Sequence, residues 1–430
     1  MNLKSKFFYT IIINGLIVAC AFGSSMMMTN IFGPEGFGKY KFMIVVAATM
    51  TMFSNYGLPE MLNVKLATKA ILLKDYIVSV LIGVMPVYLI IGGLIFNYFL
   101  QKENFIESSL ILIGLLYCLL YQLNSIFQQA IYALDKVVLC QLFELIKQGL
   151  FIFCSLILYF FHLLSLKNIF SILVIANAIA VFYVLYLAFK TNITEKIKLA
   201  FDKELIKNSF RAYMNGILNF LTTRADLFLL SFNSIGFYDI GLYTLATTLM
   251  EKLWIIPDSI RSVLFLEISN RRKDEIFVAQ LLRIIVFLLF ISGIIIALGS
   301  RYFIPKIFGE EFIGSVMPFL ILLPGTIIVS MFRVLGAYFV AKEMIIINTK
   351  ACFIFSLLNV GLNIILIPHY TLLGAAMAKT IAFALGTIYH VEQFKKISQL
   401  SFLDLVKPRQ EDLVLLENLI WRKSINKNSV

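Results

Sequence analysis

At 430 residues, 60% of them hydrophobic and only 14% charged, the chain carries far less charge than the roughly 25% of an ordinary globular protein. So much apolar surface excludes a soluble enzyme and suits a bilayer, whose hydrocarbon core is about 30 Å thick and takes around 20 apolar residues per crossing helix. A net charge of +12 could fit nucleic acid, but the Lys and Arg residues fall between apolar runs, so the basicity reports topology and no nucleic-acid partner is expected.

In chain order, crossing helices are predicted near residues 8–30, 41–57, 76–100, 108–133, 137–160 and 169–189. A second six follow near 209–233, 240–263, 278–300, 315–340, 345–367 and 371–393. Ile17-Val18-Ala19-Cys20 in the first run looks like a lipoprotein cleavage box. The apolar stretch continues through Met28, longer than a signal h-region, and is read as an uncleaved span. Residues 1–190 are thus expected as an N-terminal six-helix bundle and 209–394 as a C-terminal one. Between them, 191–208 is a connector in which Ile197, Phe201 and Leu205 recur every four residues among lysines, an amphipathic, surface-lying pattern. The tail, 395–430, repeats the idea with Leu413, Leu416, Ile420 and Trp421 beside Arg422 and Lys423.

Of the 37 Lys and Arg residues, 23 fall on the side of the termini and even-numbered connections and 6 on the other. Basic residues stay cytoplasmic during insertion, so both termini are expected inside. The remaining eight lie within spans: Lys147, Arg224, Lys252, Arg261, Arg283, Arg333, Lys350 and Lys379. Their acidic counterparts are Glu144, Asp226, Glu251 and Asp258. Each such charge costs at least ~2.5–3.5 kcal/mol near mid-bilayer unless it faces water or a partner. The interior is therefore expected to be net positive, which suits phosphate or pyrophosphate, held by charge-assisted hydrogen bonds. Arg283 and Lys350 lie near the cytoplasmic boundary and are expected to snorkel out. Arg224 and Asp226 in the seventh span and Lys379 in the twelfth are too deep for that.

Gln141, Glu144 and Lys147 make one polar stripe, and Glu251, Asp258 and Arg261 another. Glu144 with Lys147 reads as a self-neutralising pair. Gln122, Ser125 and Gln129 in the fourth span, and Asn359 and Asn363 in the eleventh, suit interhelical hydrogen bonding. Pro257 and Pro324 permit bends. The five cysteines and three histidines show no metal-ligand spacing and no nucleophile with a base, so no cofactor is expected.

The halves look related. Asn14-Gly15 is echoed by Asn215-Gly216, Phe37-Gly38-Lys39-Tyr40 by Ile240-Gly241-Leu242-Tyr243, and Ser125, Phe127 and Asp135 by Ser330, Phe332 and Glu343. A similar offset in three places suggests parallel repeats, the pattern of a transporter with a site between its halves.

Several stretches carry a family likeness: Ile31-Phe32-Gly33-Pro34-Glu35-Gly36-Phe37-Gly38-Lys39-Tyr40, Tyr56-Gly57-Leu58, Thr223-Arg224-Ala225-Asp226, Gly241-Leu242-Tyr243, Ile256-Pro257, and Asn359 to Asn363 followed by Ile367-Pro368-His369-Tyr370 and Gly374-Ala375-Ala376. Through them the chain resembles the polysaccharide and O-antigen flippases of the multidrug/oligosaccharidyl-lipid/polysaccharide (MOP) exporter superfamily. The likeness implies an all-α membrane fold, two six-helix bundles around a central cavity. It also implies translocation of an undecaprenyl-pyrophosphate-linked oligosaccharide across the bacterial inner membrane for O-antigen, capsule or exopolysaccharide. Counterflow of protons or sodium, and association with a polymerase or chain-length regulator, belong to the same expectation. Arg224 falls on the family's charged seventh-span position as a pyrophosphate or acidic-sugar contact. Lys379 departs from the pattern, which has a small or apolar residue there. Substrate contacts are expected at Arg224, Lys379, Arg333 and Arg261, and coupling or ion-pair roles at Asp226, Asp258, Glu144 and Lys147. The competing readings are a drug or metabolite antiporter of the same superfamily and a membrane glycosyltransferase or polymerase. The net basic interior speaks against cationic drugs, and outside connections of about a dozen residues speak against a catalytic loop.

Overall fold

The computed structural model describes residues 3–101, 108–190, 198–201, 203–233, 235–255, 257–258 and 275–412. Among them the regular elements are all helices. They are α1 (Leu3–Asn55), α2 (Leu58–Ala67), α3 (Leu73–Gln101), α4 (Ser108–Ala133), α5 (Val137–Phe160), α6 (Leu166–Lys190), α7 (Lys203–Phe232) and α8 (Phe237–Leu253). After these come α9 (Glu275–Phe308), a 3-10 turn (Glu310–Ser315), α10 (Val316–Ala341), α11 (Ile345–Ser398) and α12 (Phe402–Val406).

Eight helices are long and apolar enough to cross a membrane. Two of them, α1 and α11, are far longer than a bilayer needs, and each is broken by one non-helical residue into two limbs. The polar positions fall on α7 and α8, which take the places of the seventh and eighth spans expected from the sequence. Large apolar side chains such as Leu89, Phe182 and Leu298 stay exposed on the helices, as they must where the solvent is lipid.

The break in α1 is Gly33, with φ 60° and ψ −172°. Glycine reaches this region without a Cβ clash, and Pro34 then starts the second limb with φ already set and no N–H left unpaired. The sequence from Gly33 to Tyr40, expected as a connection, is therefore helical from Pro34 onward. Glu35 and Lys39 pair one turn apart at 2.7 Å, and Phe37 is fully buried. The corresponding break in α11 is Thr371, at φ 50°. A β-branched residue held there stores strain of order 1–3 kcal/mol. Between α1 and α2, Gly57 takes φ 77°, and a Cβ there would lie 2.0 Å from the Ser209 carbonyl oxygen. Only glycine lets α2 start so close to α7.

The chain divides into two compact units, Met1–Phe220 and Leu221–Val430. The core of the first joins α2, α3, α4 and α6 through residues such as Leu62, Tyr76, Val80, Phe127 and Val184. The core of the second joins α9, α10 and α11 through Leu282, Val334, Tyr338 and Phe394, and takes in Leu405 of the short α12.

The connector differs from the amphipathic helix its periodicity suggests. Residues 198–201 are not helical, and their backbone is claimed by α3: Lys198 N–H donates to Asp75 Oδ1 at 2.9 Å and Ala200 N–H to Ser79 Oγ at 3.0 Å. From Lys203 the chain is already α7. Ile197 lies outside the described residues, as does the tail stretch around Leu413, Leu416, Ile420 and Trp421.

Candidate functional site

The deepest charges of the second unit converge on Asp226 of α7. Residues 224 and 226 are two apart on a helix, so they project about 200° from each other. Asp226 turns inward and is fully buried, while Arg224 keeps 38% of its side chain exposed. Lys379, from the second limb of α11, places its Nζ 2.8 Å from Asp226 Oδ2 and 3.1 Å from the Thr223 carbonyl oxygen, with 1% of its side chain exposed. The Tyr243 hydroxyl of α8 donates to the same carboxylate oxygen. Three helices are thus tied at one charge-neutral point. Asp226 Oδ1 is buried with no hydrogen-bond partner among the described residues. Lys379 was expected to meet substrate; the structure places it wholly on Asp226 and Thr223.

Arg224 faces Glu251 of α8, with Nη1 3.0 Å from Oε1 and Nη2 3.5 Å from Oε2. Two helical turns further on, Asp258 receives Arg333 of α10, whose Nη1 lies 2.7 Å from both carboxylate oxygens. The Arg333 guanidinium also stacks 3.9 Å over the Trp254 ring. These two pairs are partly open, with Asp258 44% exposed. Arg261 lies outside the described residues. Around them, Asn359 donates to the Leu221 carbonyl at 2.9 Å and Asn363 to the Asn359 carbonyl at 2.6 Å, satisfying backbone where α7 and α11 meet.

In the first unit Glu144 and Lys147 pair at 2.6 Å on one helix, with Gln128 of α4 donating to Glu144 at 3.0 Å. This is the self-neutralising arrangement read from the spacing. Neutral amide contacts also join helices there: Gln122 to Asn55 at 2.6 Å, Asn124 to Asn177 at 3.0 Å and Asn63 to Gln129 at 3.2 Å.

Arg283 departs from expectation. Instead of snorkelling it is 3% exposed and grips Asp412 with Nε at 2.7 Å and Nη2 at 2.6 Å, while Nη1 donates to the Asp404 carbonyl at 2.7 Å. Burial pushes the Asp412 carboxyl up, but hydrogen bonds from Arg283 and the Arg409 N–H outweigh it and hold the group below the ordinary carboxylate range. Asp404 is lowered as well, first by the Ser401 hydroxyl and N–H with which it forms the capping box of α12, and also by Arg409. Lys350 stays exposed as expected. Glu251, Tyr243 and Asp412 are the partners that sequence reasoning did not assign, since each pairing depends on helices meeting.

Among the described residues no cluster of His, Cys, Asp and Glu could hold a metal ion. The fold is that of a multi-pass, all-helical membrane protein. The structure matches a lipid II flippase, MurJ, in an inward closed conformation with a TM-score of 0.76 and 16% identity, covering 97% of this chain and 93% of that one. It matches an inward-facing MATE-family multidrug transporter of the MOP superfamily at 0.64 and 14%, covering 90% and 96%. In sequence, the Staphylococcus aureus capsular polysaccharide biosynthesis protein CapF is 22% identical over 407 residues, 91% of this chain and 99% of CapF. The family model described as polysaccharide biosynthesis protein matches residues 3–265, more than half of the chain, and the chain belongs to that family.

Proposed function

We propose that the chain flips undecaprenyl-pyrophosphate-linked oligosaccharide repeat units from the inner to the outer leaflet of the bacterial cell membrane, by alternating access with both termini cytoplasmic. The observation that carries this reading is the state of the two arginines on α7 and α10. Arg224 and Arg333 each stay partly open and pair with a carboxylate, a setting in which a guanidinium fork can take a phosphate instead. A capsule-synthesis relative and a flippase fold agree with it. Lys379, Asp226 and Tyr243 hold α7, α8 and α11 together, and Arg261 remains a further substrate candidate. Asp258, open and held by one arginine, is the carboxylate best able to exchange a proton or sodium ion in a counterflow step. A polymerase or chain-length regulator working on the delivered units is the natural membrane partner.

The test is complementation of a flippase-null strain that makes the lipid-linked unit, with surface glycan as readout at matched membrane expression. Wild type restores glycan, Arg224→Ala loses it, and Arg224→Lys recovers part of it if charge matters more than fork geometry. Failure of wild type in the presence of the lipid-linked unit would sink the flippase reading.

A further inference from the structure

Arg224 is not waiting empty for a phosphate. Glu251 already holds it at two points, in the geometry by which a guanidinium holds a phosphate. This pair differs from the two buried pairs of its unit, Arg283 with Asp412 and Lys379 with Asp226, in two ways. Its second contact is long, 3.5 Å, where both contacts of Arg283 with Asp412 are under 3 Å. It is also unsealed, with 38% of Arg224 and 25% of Glu251 exposed, against 1% and 0% for Lys379 and Asp226. A loose, reachable ion pair can be exchanged; a tight, enclosed one cannot.

We propose that Glu251 is an internal competitor for Arg224: it occupies the guanidinium while no substrate is present, yields to the pyrophosphate, and retakes the arginine to expel the pyrophosphate at release. The inference rests on the flippase reading above and adds to it the means by which a strongly held anion is let go. A cationic site alone would bind a pyrophosphate and keep it, and transport needs binding weak enough to leave. Glu251 supplies the weakness from within, at the same donor atoms the substrate uses.

The experiment uses the full chain in lipid nanodiscs, with undecaprenyl pyrophosphate as probe and undecaprenol as the phosphate-free control. Glu251→Gln is expected to bind the pyrophosphate lipid on the order of fivefold more tightly, the worth of a part-exposed ion pair, with undecaprenol binding unchanged. In the complementation strain the same variant is expected to give less surface glycan than wild type, so tighter binding goes with slower turnover, and Glu251→Asp is expected to recover part of both. A purely structural pair gives the opposite pattern: a lower thermal midpoint and weaker binding in Glu251→Gln. Equal or weaker binding by that variant, while wild type binds and restores glycan, overturns this inference and leaves the flippase reading intact. If wild type does not distinguish undecaprenyl pyrophosphate from undecaprenol, both fall.

Discussion

The two units are built from the same kind of helices and differ in how they quiet their interiors. The first relies on amides: Gln122 with Asn55, Asn124 with Asn177, Asn63 with Gln129. Two ion pairs of its membrane helices, Glu35 with Lys39 and Glu144 with Lys147, each lie within a single helix. The second relies on charges joined across helices, Lys379 with Asp226, Arg224 with Glu251 and Arg333 with Asp258. Neutral hydrogen bonds between membrane helices are cheap to lose, at about 0.6 kcal/mol on average, whereas an uncompensated buried charge is not. A chain that needed only cohesion could have used amides throughout. Under the proposed function, the amides of the first unit would serve cohesion, and the charge pairs of the second would serve both cohesion and chemistry.

Removing one half of the sealed pair tests this most severely. Lys379→Ala leaves Asp226 charged, buried and short of a donor, and is expected to cost about 3–5 kcal/mol, seen as loss of folded protein in detergent. Combining Lys379→Met with Asp226→Leu should restore most of that stability, because no charge is then stranded. If Lys379→Ala folds as well as wild type, the second unit's charges are not holding its helices together.

Acid probes the clamp between α9 and the C-terminal segment. Asp412 is held below the ordinary carboxylate range, so its contribution is complete above about pH 4 and is lost as pH falls through the lowered value. Thermal unfolding followed from pH 7 to pH 3 should show wild type losing stability at the acid end more steeply than Asp412→Asn, which has already lost it at neutral pH. Parallel curves would remove the clamp as a source of stability.

The smallest effect is expected in the amide network. Asn124→Ala breaks the contact with Asn177 and should cost about 0.6 kcal/mol, with surface glycan in the complementation strain close to wild type. A large loss of glycan from this change would mean that the first unit carries chemistry as well, and would blur the contrast.

Spans were legible because length and apolar content are local properties that hydrocarbon enforces one helix at a time. Which residues would be polar was legible for the same reason, down to the self-contained Glu144 and Lys147 pair. Partnership was not. Lys379 and Asp226 meet from helices far apart in the chain, and Arg283 looked free to snorkel because Asp412 lies 129 residues later. Gly33-Pro34-Glu35-Gly36 carries every local signal of a loop, yet one left-handed glycine suffices and the rest is helix. In the connector, helical periodicity lost to specific acceptors on α3, which the spacing of Ile197, Phe201 and Leu205 could not reveal.

The buried carboxylate of Asp226, bonded by Lys379 and Tyr243, has an electrical consequence. Across an energised membrane, moving one elementary charge through the full potential is worth about 2.3 kcal/mol per 100 mV. A lysine and an aspartate bound to each other travel as a dipole, with no net charge for the field to pull on. Any displacement of α7 or α11 during a transport cycle therefore leaves that point indifferent to voltage. Under the proposed function, sensitivity to the potential would rest on charges that can part company, such as Arg224 from Glu251 and Arg333 from Asp258, when substrate stands between them.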